Sequence, residues 1–288
     1  MRTLFLAGDS TVQSYKPDQY PQTGWGQVFY KFFKGADGVR KYVRPDAPGM
    51  HCVDYEMGDF NIENHAFAAR SSRSFIEQGR LDEIMKVAKP GDFLAVQFAH
   101  NDAYEAREER YVPVEKFGEW LKKYSDACKE RGMQCFFVTP VTMRVFDENG
   151  ECQIAFKEYR DAMIKAAKDL DVPCVDLSLL STNYVNQIGA EAARDLYLWV
   201  APGEYPESAL KDGVTDNAHF QEYGATVMAS LVARGIKELN DERLVYISDR
   251  ISEDLSVNKP KRKLPEGFAW AEEGSMQEAA KQEILNRK

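Results

Sequence analysis

The 288-residue sequence has few residues of the kinds that build disulfide frameworks, metal clusters or nucleic-acid surfaces. Its five cysteines form an odd set without a close Cys-x-x-Cys pair, which argues against a complete disulfide framework and against a zinc knuckle. We expect reduced thiols at Cys52, Cys128, Cys135, Cys152 and Cys174. Nucleic acid is not an expected partner, because the net charge is −9 and phosphate binding relies on a clustered basic face.

Long apolar runs and a targeting segment are also missing. No run approaches the roughly 18 apolar residues of a membrane-spanning helix. The first residues lead directly into an apolar strand, without the basic region, hydrophobic segment and cleavage site of a secretory leader. We therefore expect no membrane partner and a cytoplasmic location, with a previously removed leader as the alternative.

No Pro/Gly/Ser-rich linker or low-complexity tract divides the chain. With 44% hydrophobic and 29% charged residues, the composition is that of a globular protein with a sizeable core. We predict one large domain over residues 1–240, followed by a charged, motif-free and peripheral extension over residues 241–288.

Five apolar runs have the length of buried strands. They are residues 4–7, 60–65, 93–98, 135–138 and 173–177. Helical patterns alternate with them, at residues 24–33, 114–131, 156–170 and 223–239. This alternation predicts an α/β fold with a doubly wound, flavodoxin-like, parallel five-stranded sheet flanked by helices. We expect residues 34–58, with Pro45 and Pro48, to form an irregular excursion, and residues 182–213 a lid or binding wall.

Polar side chains suited to nucleophilic catalysis follow these elements. Ser10 lies in the polar turn after the first strand, at the edge where open α/β sheets bind ligands, although such a serine more often only caps a turn. A serine needs a base held in one tautomer, and the Asp-x-x-His spacing of Asp216 and His219 lets one local turn supply both groups. The Asn101 amide is a candidate donor to a developing oxyanion, or an ordinary turn residue.

Four ordered blocks together resemble the GDSL, or SGNH, hydrolase superfamily. They are Gly8-Asp9-Ser10, Ala68-Ala69-Arg70-Ser71, Ala99-His100-Asn101-Asp102 and Asp216-Asn217-Ala218-His219. Further details are similar to its rhamnogalacturonan acetylesterase branch, namely Thr23-Gly24-Trp25-Gly26, Arg70-Ser71-Ser72-Arg73-Ser74-Phe75 and the glutamine-phenylalanine pair before Ala99. The resemblance covers roughly residues 3–238 and implies the SGNH hydrolase fold.

The resemblance also implies roles for site residues. Ser10 would be the nucleophile, His219 the general base and acid, and Asp216 its orienting partner. The oxyanion hole would be formed by the backbone N–H groups of Ser10 and Ala69 and the side chain of Asn101. No cofactor or metal is implied. His51, His65 and His100 lack a metal-ligand spacing, and His100 is expected to support its block.

The chain departs from the family at two positions, where Ala69 and Ala99 replace the usual glycines. Alanine keeps the backbone N–H that an oxyanion hole needs, and it is tolerated without strain if φ at this position is negative. Its methyl group would narrow the acyl side of the pocket.

The expected function is that of a carbohydrate O-acetylesterase acting on rhamnogalacturonan-type oligosaccharides through an acyl-enzyme. One alternative is a broader SGNH esterase, lipase or acyltransferase. Another is a noncatalytic carbohydrate-binding homologue. Arg70 and Arg73 are candidate uronate contacts or, alternatively, salt-bridge and backbone-support residues, and Trp25 is expected to pack in the core. The sequence does not predict the oligomeric state.

Overall fold

A central sheet and a small second sheet organise the computed structural model, which describes residues 1–44 and 52–270. The strands are β1 (Arg2–Gly8), β2 (Arg40–Val43), β3 (Val53–Met57), β4 (Phe60–Asn64), β5 (Phe93–Gln97), β6 (Gln134–Val138), β7 (Cys174–Val175), β8 (Tyr197–Val200) and β9 (Val214–Phe220). The α-helices are α1 (Trp25–Val28), α2 (Ser72–Glu77), α3 (Arg80–Val87), α4 (Val114–Arg131), α5 (Lys157–Leu170), α6 (Leu177–Ala193), α7 (Glu222–Leu239) and α8 (Val245–Ser248).

The five predicted strands form the parallel part of the central sheet, in the order β4-β1-β5-β6-β7. β1 lies between β4 and β5, and Leu4 pairs with both Ile62 and Phe93. Successive residues of β1 point to opposite layers, so Leu4 joins one core cluster and Phe5 the other. Burial on both faces explains why these strands read as continuous apolar runs. The α/β, flavodoxin-like prediction is confirmed.

The sheet is larger than predicted, because β2 and β3 extend it to seven strands. β2 pairs antiparallel with β3, and β3 pairs antiparallel with β4, so the sheet is mixed. The prediction of an irregular excursion was wrong where these two strands lie. β3 alternates buried with half-buried residues, as expected of a strand near the sheet edge. Pro45 and Pro48, which suggested irregular structure, lie outside the described residues.

The predicted helices are present with small changes. α4 has the predicted bounds, and Gly132 ends it with φ of +68°. The predicted helix over residues 24–33 is α1 followed by a 3₁₀ turn, Phe29–Phe32. Part of the predicted lid region is instead α6 and β8. None of the helices in the described ranges combines the length and apolar character needed to span a membrane.

Residues beyond position 240 contribute to the core. Leu244, Ile247 and Ile251 are fully buried and belong to the same cluster as α7. Ile251 also bridges to Phe33. The domain boundary at residue 240 stays a prediction, but the first residues after it pack into the domain and are not a separate surface segment.

We expect Ile247→Ala to lower the free energy of unfolding by about 2–5 kcal/mol, because it removes a fully buried side chain and leaves a cavity. Urea denaturation measures this change. The matched control is Val245→Ala on the same helix, where the side chain is 46% exposed and a much smaller loss is expected. A loss for Ile247→Ala as small as the loss for Val245→Ala would show that the burial of Ile247 does not stabilise the core.

Candidate active site

Three parallel strands bring the predicted residues to one edge of the sheet. Ser10 follows β1, and the backbone N–H groups of His65 and Phe67 donate to the carbonyls of Leu6 and Gly8, both at 3.0 Å. These bonds continue the β4 pairing beyond its end and carry the chain to Ala69 beside the Ser10 turn. β5 pairs with β1 on the other side, so Asn101 follows at the same edge. Strand pairing therefore explains how three distant blocks meet.

Ser10, His219 and Asp216 form a continuous hydrogen-bonded series. Ser10 Oγ lies 2.8 Å from His219 Nε2, and His219 Nδ1 lies 2.7 Å from Asp216 Oδ2. Burial alone would raise the pKa of Asp216, but the hydrogen bond and charge of His219, with two backbone donors, lower it well below its ordinary value. An ionised carboxylate fixes the Nδ1–H tautomer, which leaves Nε2 as the acceptor for the Ser10 hydroxyl.

The Asp216 and His219 pair lies in a bulge of β9, where the sequence had suggested a simple local turn. Tyr197 of β8 pairs with Phe220, whereas the next residue, Leu198, pairs with Asp216. The three residues between the two pairs are therefore displaced from the ladder. Asp216 Oδ1 accepts hydrogen bonds from the N–H groups of Ala218 at 2.7 Å and His219 at 2.9 Å, which fix the bulge.

Residues that sequence reasoning missed hold this bulge in place. Trp199 Nε1 donates to Asn217 Oδ1 at 2.9 Å, and the Arg144 N–H donates to the Asn217 carbonyl at 2.8 Å. Arg262, far along the chain, donates to the Trp199 carbonyl and bonds Glu204 Oε1 at 2.6 Å. No short-range pattern in the sequence marks these residues, because each acts through tertiary contact.

A buried network shapes the Ser10 turn from below. Asp9 Oδ1 accepts from Thr11 N–H at 2.9 Å and Thr11 Oγ1 at 2.8 Å. Gln97 links the same hydroxyl, at 2.7 Å, to the Trp25 indole N–H, at 2.9 Å. Trp25 is 1% exposed, so it serves packing and this network. Asp9 Oδ2 lies 3.6 Å from His100 Nδ1, which places His100 in support of the turn.

Asn101 is half-buried at the site, and its buried neighbour Asp102 fixes the chain there by hydrogen bonds. Asn101 Nδ2 donates to the Arg70 carbonyl at 2.9 Å, and an amide nitrogen carries a second N–H. Asp102 is fully buried and accepts from the Ser72 N–H at 3.0 Å and from its hydroxyl. These bonds join the second and third sequence blocks and hold the amide near Ala69.

Ala69 and Ala99 both have positive φ, of +62° and +145°. The condition under which alanine would be unstrained at position 69, a negative φ, is therefore not met. A left-handed conformation costs a residue with a Cβ roughly 1–2 kcal/mol. The backbone at this edge of the site is strained, although the N–H of Ala69 is retained.

The remaining histidines and the cysteines do not assemble into a metal centre in the described part of the chain. His65 contacts Glu63 at 3.3 Å, and His51 lies outside the described residues. No group of three or more potential metal ligands occurs among residues 1–44 and 52–270. All five cysteines are free thiols.

The arrangement of a serine, a histidine and a carboxylate at the end of a central parallel strand is that of an acyl hydrolase. The chain belongs to the GDSL-like lipase/acylhydrolase family, whose model matches residues 4–232. Among curated relatives, rhamnogalacturonan acetylesterase RhgT of Bacillus subtilis is 39% identical over 236 residues, covering 82% of this chain and 90% of the relative. Probable rhamnogalacturonan acetylesterase YesY of the same organism is 34% identical, with 82% and 93% covered. The resemblance seen in the sequence blocks is confirmed.

Solved structures share the fold. The crystal structure of YxiM from Bacillus subtilis matches with a TM-score of 0.65 and 25% identity, covering 84% of this chain. This chain spans only 57% of the length of that one. An acetylxylan esterase from Geobacillus stearothermophilus matches with a TM-score of 0.54 at 14% identity, covering 84% of this chain and 95% of that chain.

We expect Ala69→Gly to raise the free energy of unfolding by about 1 kcal/mol, because relief of the positive-φ strain exceeds the added flexibility of the unfolded chain. Urea denaturation measures the gain. Ala68→Gly is the matched control, because its φ is not positive and glycine there should only destabilise. A loss of stability in both variants would contradict a strained Ala69.

The raised pKa of the buried Asp102 carboxyl predicts that the stability of the fold depends on pH. Burial raises the pKa of its carboxyl to about 7, despite the opposing hydrogen bonds from Ser72 and with a further rise from Asp9. Between the unfolded value of 3.8 and about 7, the folded protein holds a proton that the unfolded chain releases. The contribution of Asp102 to stability therefore falls as pH rises through this range.

We expect Asp102→Asn, which cannot ionise, to become more stable relative to the parent protein as pH rises from 4.5 to about 7.5. Urea denaturation at several pH values measures the difference. Asp241→Asn is the control, because the hydrogen bond and the charge of Arg243 lower the Asp241 pKa, so that this carboxyl is ionised in both states over this range. The free energy of unfolding of the control variant relative to the parent protein should not change over the same pH range. If the free energy of unfolding of Asp102→Asn relative to the parent protein did not change with pH, the Asp102 carboxyl would be ionised throughout this range.

Proposed function

We propose that the protein is a carbohydrate O-acetylesterase that removes acetyl groups from pectic, rhamnogalacturonan-type oligosaccharides. The observation that carries the proposal is the Ser10–His219–Asp216 series, with distances of 2.8 and 2.7 Å. Its substrate class is supported by the 39% identity to RhgT over most of both chains. The predicted cytoplasmic location belongs to the proposal and suits soluble oligosaccharides better than intact polymer.

In the first half of the reaction, Ser10 Oγ attacks the acetyl carbonyl while His219 Nε2 takes the hydroxyl proton. Asp216 holds the imidazole and stabilises the imidazolium that forms. Negative charge develops on the carbonyl oxygen and is met by the N–H groups of Ser10 and Ala69 and by Asn101 Nδ2. Collapse of the tetrahedral intermediate breaks the bond to the sugar oxygen, which receives the proton from His219.

In the second half, water replaces the sugar. His219 takes a proton from the water as its oxygen attacks the acetyl-Ser10 carbonyl, and the same donors stabilise the second tetrahedral intermediate. Its collapse returns the proton to Ser10 Oγ and releases acetate. Every proton transfer passes through one imidazole nitrogen, which explains why the tautomer fixed by Asp216 matters.

We expect Ser10→Ala and His219→Ala each to lower kcat by several orders of magnitude, and Asp216→Asn by about 10⁴-fold through loss of the correct tautomer. Hydrolysis of 4-nitrophenyl acetate measures these rates. Ser14→Ala is the matched control, because this buried serine bonds Tyr55 and lies outside the series. Near-normal turnover in folded Ser10→Ala would refute the assignment of the nucleophile.

Asn101→Ala should lower kcat by about 10²- to 10³-fold if the amide donates to the oxyanion. KM should change much less, because the interaction strengthens as charge develops. Steady-state kinetics with the same aryl acetate separate the two constants. An unchanged kcat would remove Asn101 from the oxyanion hole.

The preference for acyl-chain length is measured with aryl esters of increasing acyl-chain length. We expect acetate to be released fastest, because the methyl group of the exposed Ala69 occupies space that glycine would leave open. Preference for long chains would favour a broader esterase or lipase. Binding of acetylated oligosaccharides without release of acetate would favour a noncatalytic carbohydrate-binding protein.

A further inference from the structure

Tyr15 is a buried tyrosine beside the nucleophile that the proposed reaction does not use. It is 6% exposed, and its hydroxyl donates to the carbonyl of Ser10 at 2.8 Å. The neighbouring carbonyls of Asp9 and Thr11 accept from backbone N–H groups instead. The carbonyl of the proposed nucleophile is therefore held by a side chain, which a single substitution can remove.

The Tyr15 bond fixes one end of the peptide group between Ser10 and Thr11. The other end is the Thr11 N–H, which donates to Asp9 Oδ1 at 2.9 Å. A peptide group is planar, so bonds at its oxygen and at its nitrogen together fix its orientation. The torsion angle ψ of Ser10 sets how this plane is turned relative to the Ser10 side chain and N–H. Holding the plane therefore restricts the directions in which Ser10 Oγ and the Ser10 N–H point.

The phenol of Tyr15 is itself held from two sides. The Tyr15 N–H donates to Gln27 Oε1 of α1 at 2.8 Å, and the hydroxyl shares a hydrogen bond with the Gln22 side chain. Gln22 forms an antiparallel bridge with Gln221, which follows His219 by two positions. Tyr15 therefore lies where the nucleophile turn meets the strand that carries the base.

The Tyr15 hydroxyl keeps its proton. Burial raises its pKa, and the charges of Asp9 and Asp216 raise it further, well above the ordinary value. A neutral phenol has one proton to donate, and this one is donated to the Ser10 carbonyl. A hydroxyl in this state holds geometry and takes no part in proton transfer.

We infer that Tyr15 is a positioning residue for the nucleophile. It holds the Ser10–Thr11 peptide group so that Ser10 Oγ stays aligned with His219 and the Ser10 N–H with the developing oxyanion. This inference rests on the proposed acetylesterase function and deepens it. The geometry preserved is the 2.8 Å distance between Ser10 Oγ and His219 Nε2. Alignment matters because a displacement of about 1 Å can lower the rate about 10²-fold.

Tyr15→Phe tests the inference, because it removes only the hydroxyl. We expect kcat for 4-nitrophenyl acetate to fall about tenfold or more and KM to change less than about twofold, because the bond aligns the nucleophile and not the substrate. Tyr55→Phe is the matched control, since Tyr55 is 1% exposed and its hydroxyl bonds Ser14 at 3.0 Å, outside the catalytic series. Its kcat should equal that of the parent protein.

Two further measurements separate positioning from a general structural role and from proton transfer. Urea denaturation should show similar losses of stability in Tyr15→Phe and Tyr55→Phe, because each variant loses one buried hydrogen bond. The pH profile of kcat should keep its shape in Tyr15→Phe, because a neutral phenol transfers no proton. An unchanged kcat in Tyr15→Phe, equal losses of kcat in the two variants, or the loss of one limb of the pH profile would overturn the inference.

Failure of the proposed function gives a different result. Diisopropyl fluorophosphate tests the nucleophile without an acetate ester, because the bond between Ser10 Oγ and phosphorus forms, the P–F bond breaks and His219 takes the hydroxyl proton. Intact-protein mass spectrometry measures the rate of labelling. If the parent protein hydrolyses no acetate ester, labelling that slows about tenfold in Tyr15→Phe but not in Tyr55→Phe would uphold the positioning role. Equal rates in all three proteins would refute it.

Hydrogen exchange measures the peptide group itself, even if Ser10 of the parent protein reacts with neither reagent. Exchange of the Thr11 amide, followed in a peptide that covers residues 9–13, should be faster in Tyr15→Phe, because its peptide group has lost one of two bonds. Tyr55→Phe should leave this exchange unchanged. Unaltered exchange in Tyr15→Phe would show that Tyr15 does not hold the Ser10–Thr11 peptide group.

Discussion

The pairing of β1 with β4 on one side and β5 on the other is the constraint on which the site depends. It converts three blocks separated by many residues into neighbours at one sheet edge, with Ser10 in the middle. The hydrogen bonds from His65 and Phe67 prolong the pairing past the end of β4 and so set the position of Ala69. His219 then reaches Ser10 from a separate two-stranded sheet, so the site joins two structural units.

The sequence predicted an element correctly where the element has a local pattern or is buried on both faces. The parallel strands were predictable because each is covered on both faces, and α4 because its apolar stripe and terminal Gly132 mark both ends. β2 and β3 were missed because they lie at the edge and flank two prolines. Block order brought Ser10, Asp216 and His219 together correctly, but the bulge that holds the last two depends on pairing with β8, which no local pattern records.

Features that cost folding free energy lie together on one side of the site. Ala69 and Ala99 have positive φ. Within residues 1–44 and 52–270, one carboxyl oxygen of the buried Asp102 and two guanidinium nitrogens of the buried Arg80 have no hydrogen-bond partner. None of these follows from residue type alone, since a negative φ at the alanines, a further hydrogen-bond donor at Asp102 or an acceptor at Arg80 would have removed the corresponding cost. Backbone strain and perturbed pKa values close to the proposed nucleophile Ser10 are characteristic of functional sites, where fit to a ligand outweighs stability.

The contact between Arg262 and Trp199 links the proposed acid–base pair to a residue far beyond the region matched by the family model. Trp199 holds Asn217, and Asn217 lies between Asp216 and His219. During synthesis, Ser10 and His219 leave the ribosome well before Arg262 does. The brace on the bulge exists only in chains extended at least that far, so the order of translation makes its closure one of the last events in assembling the site.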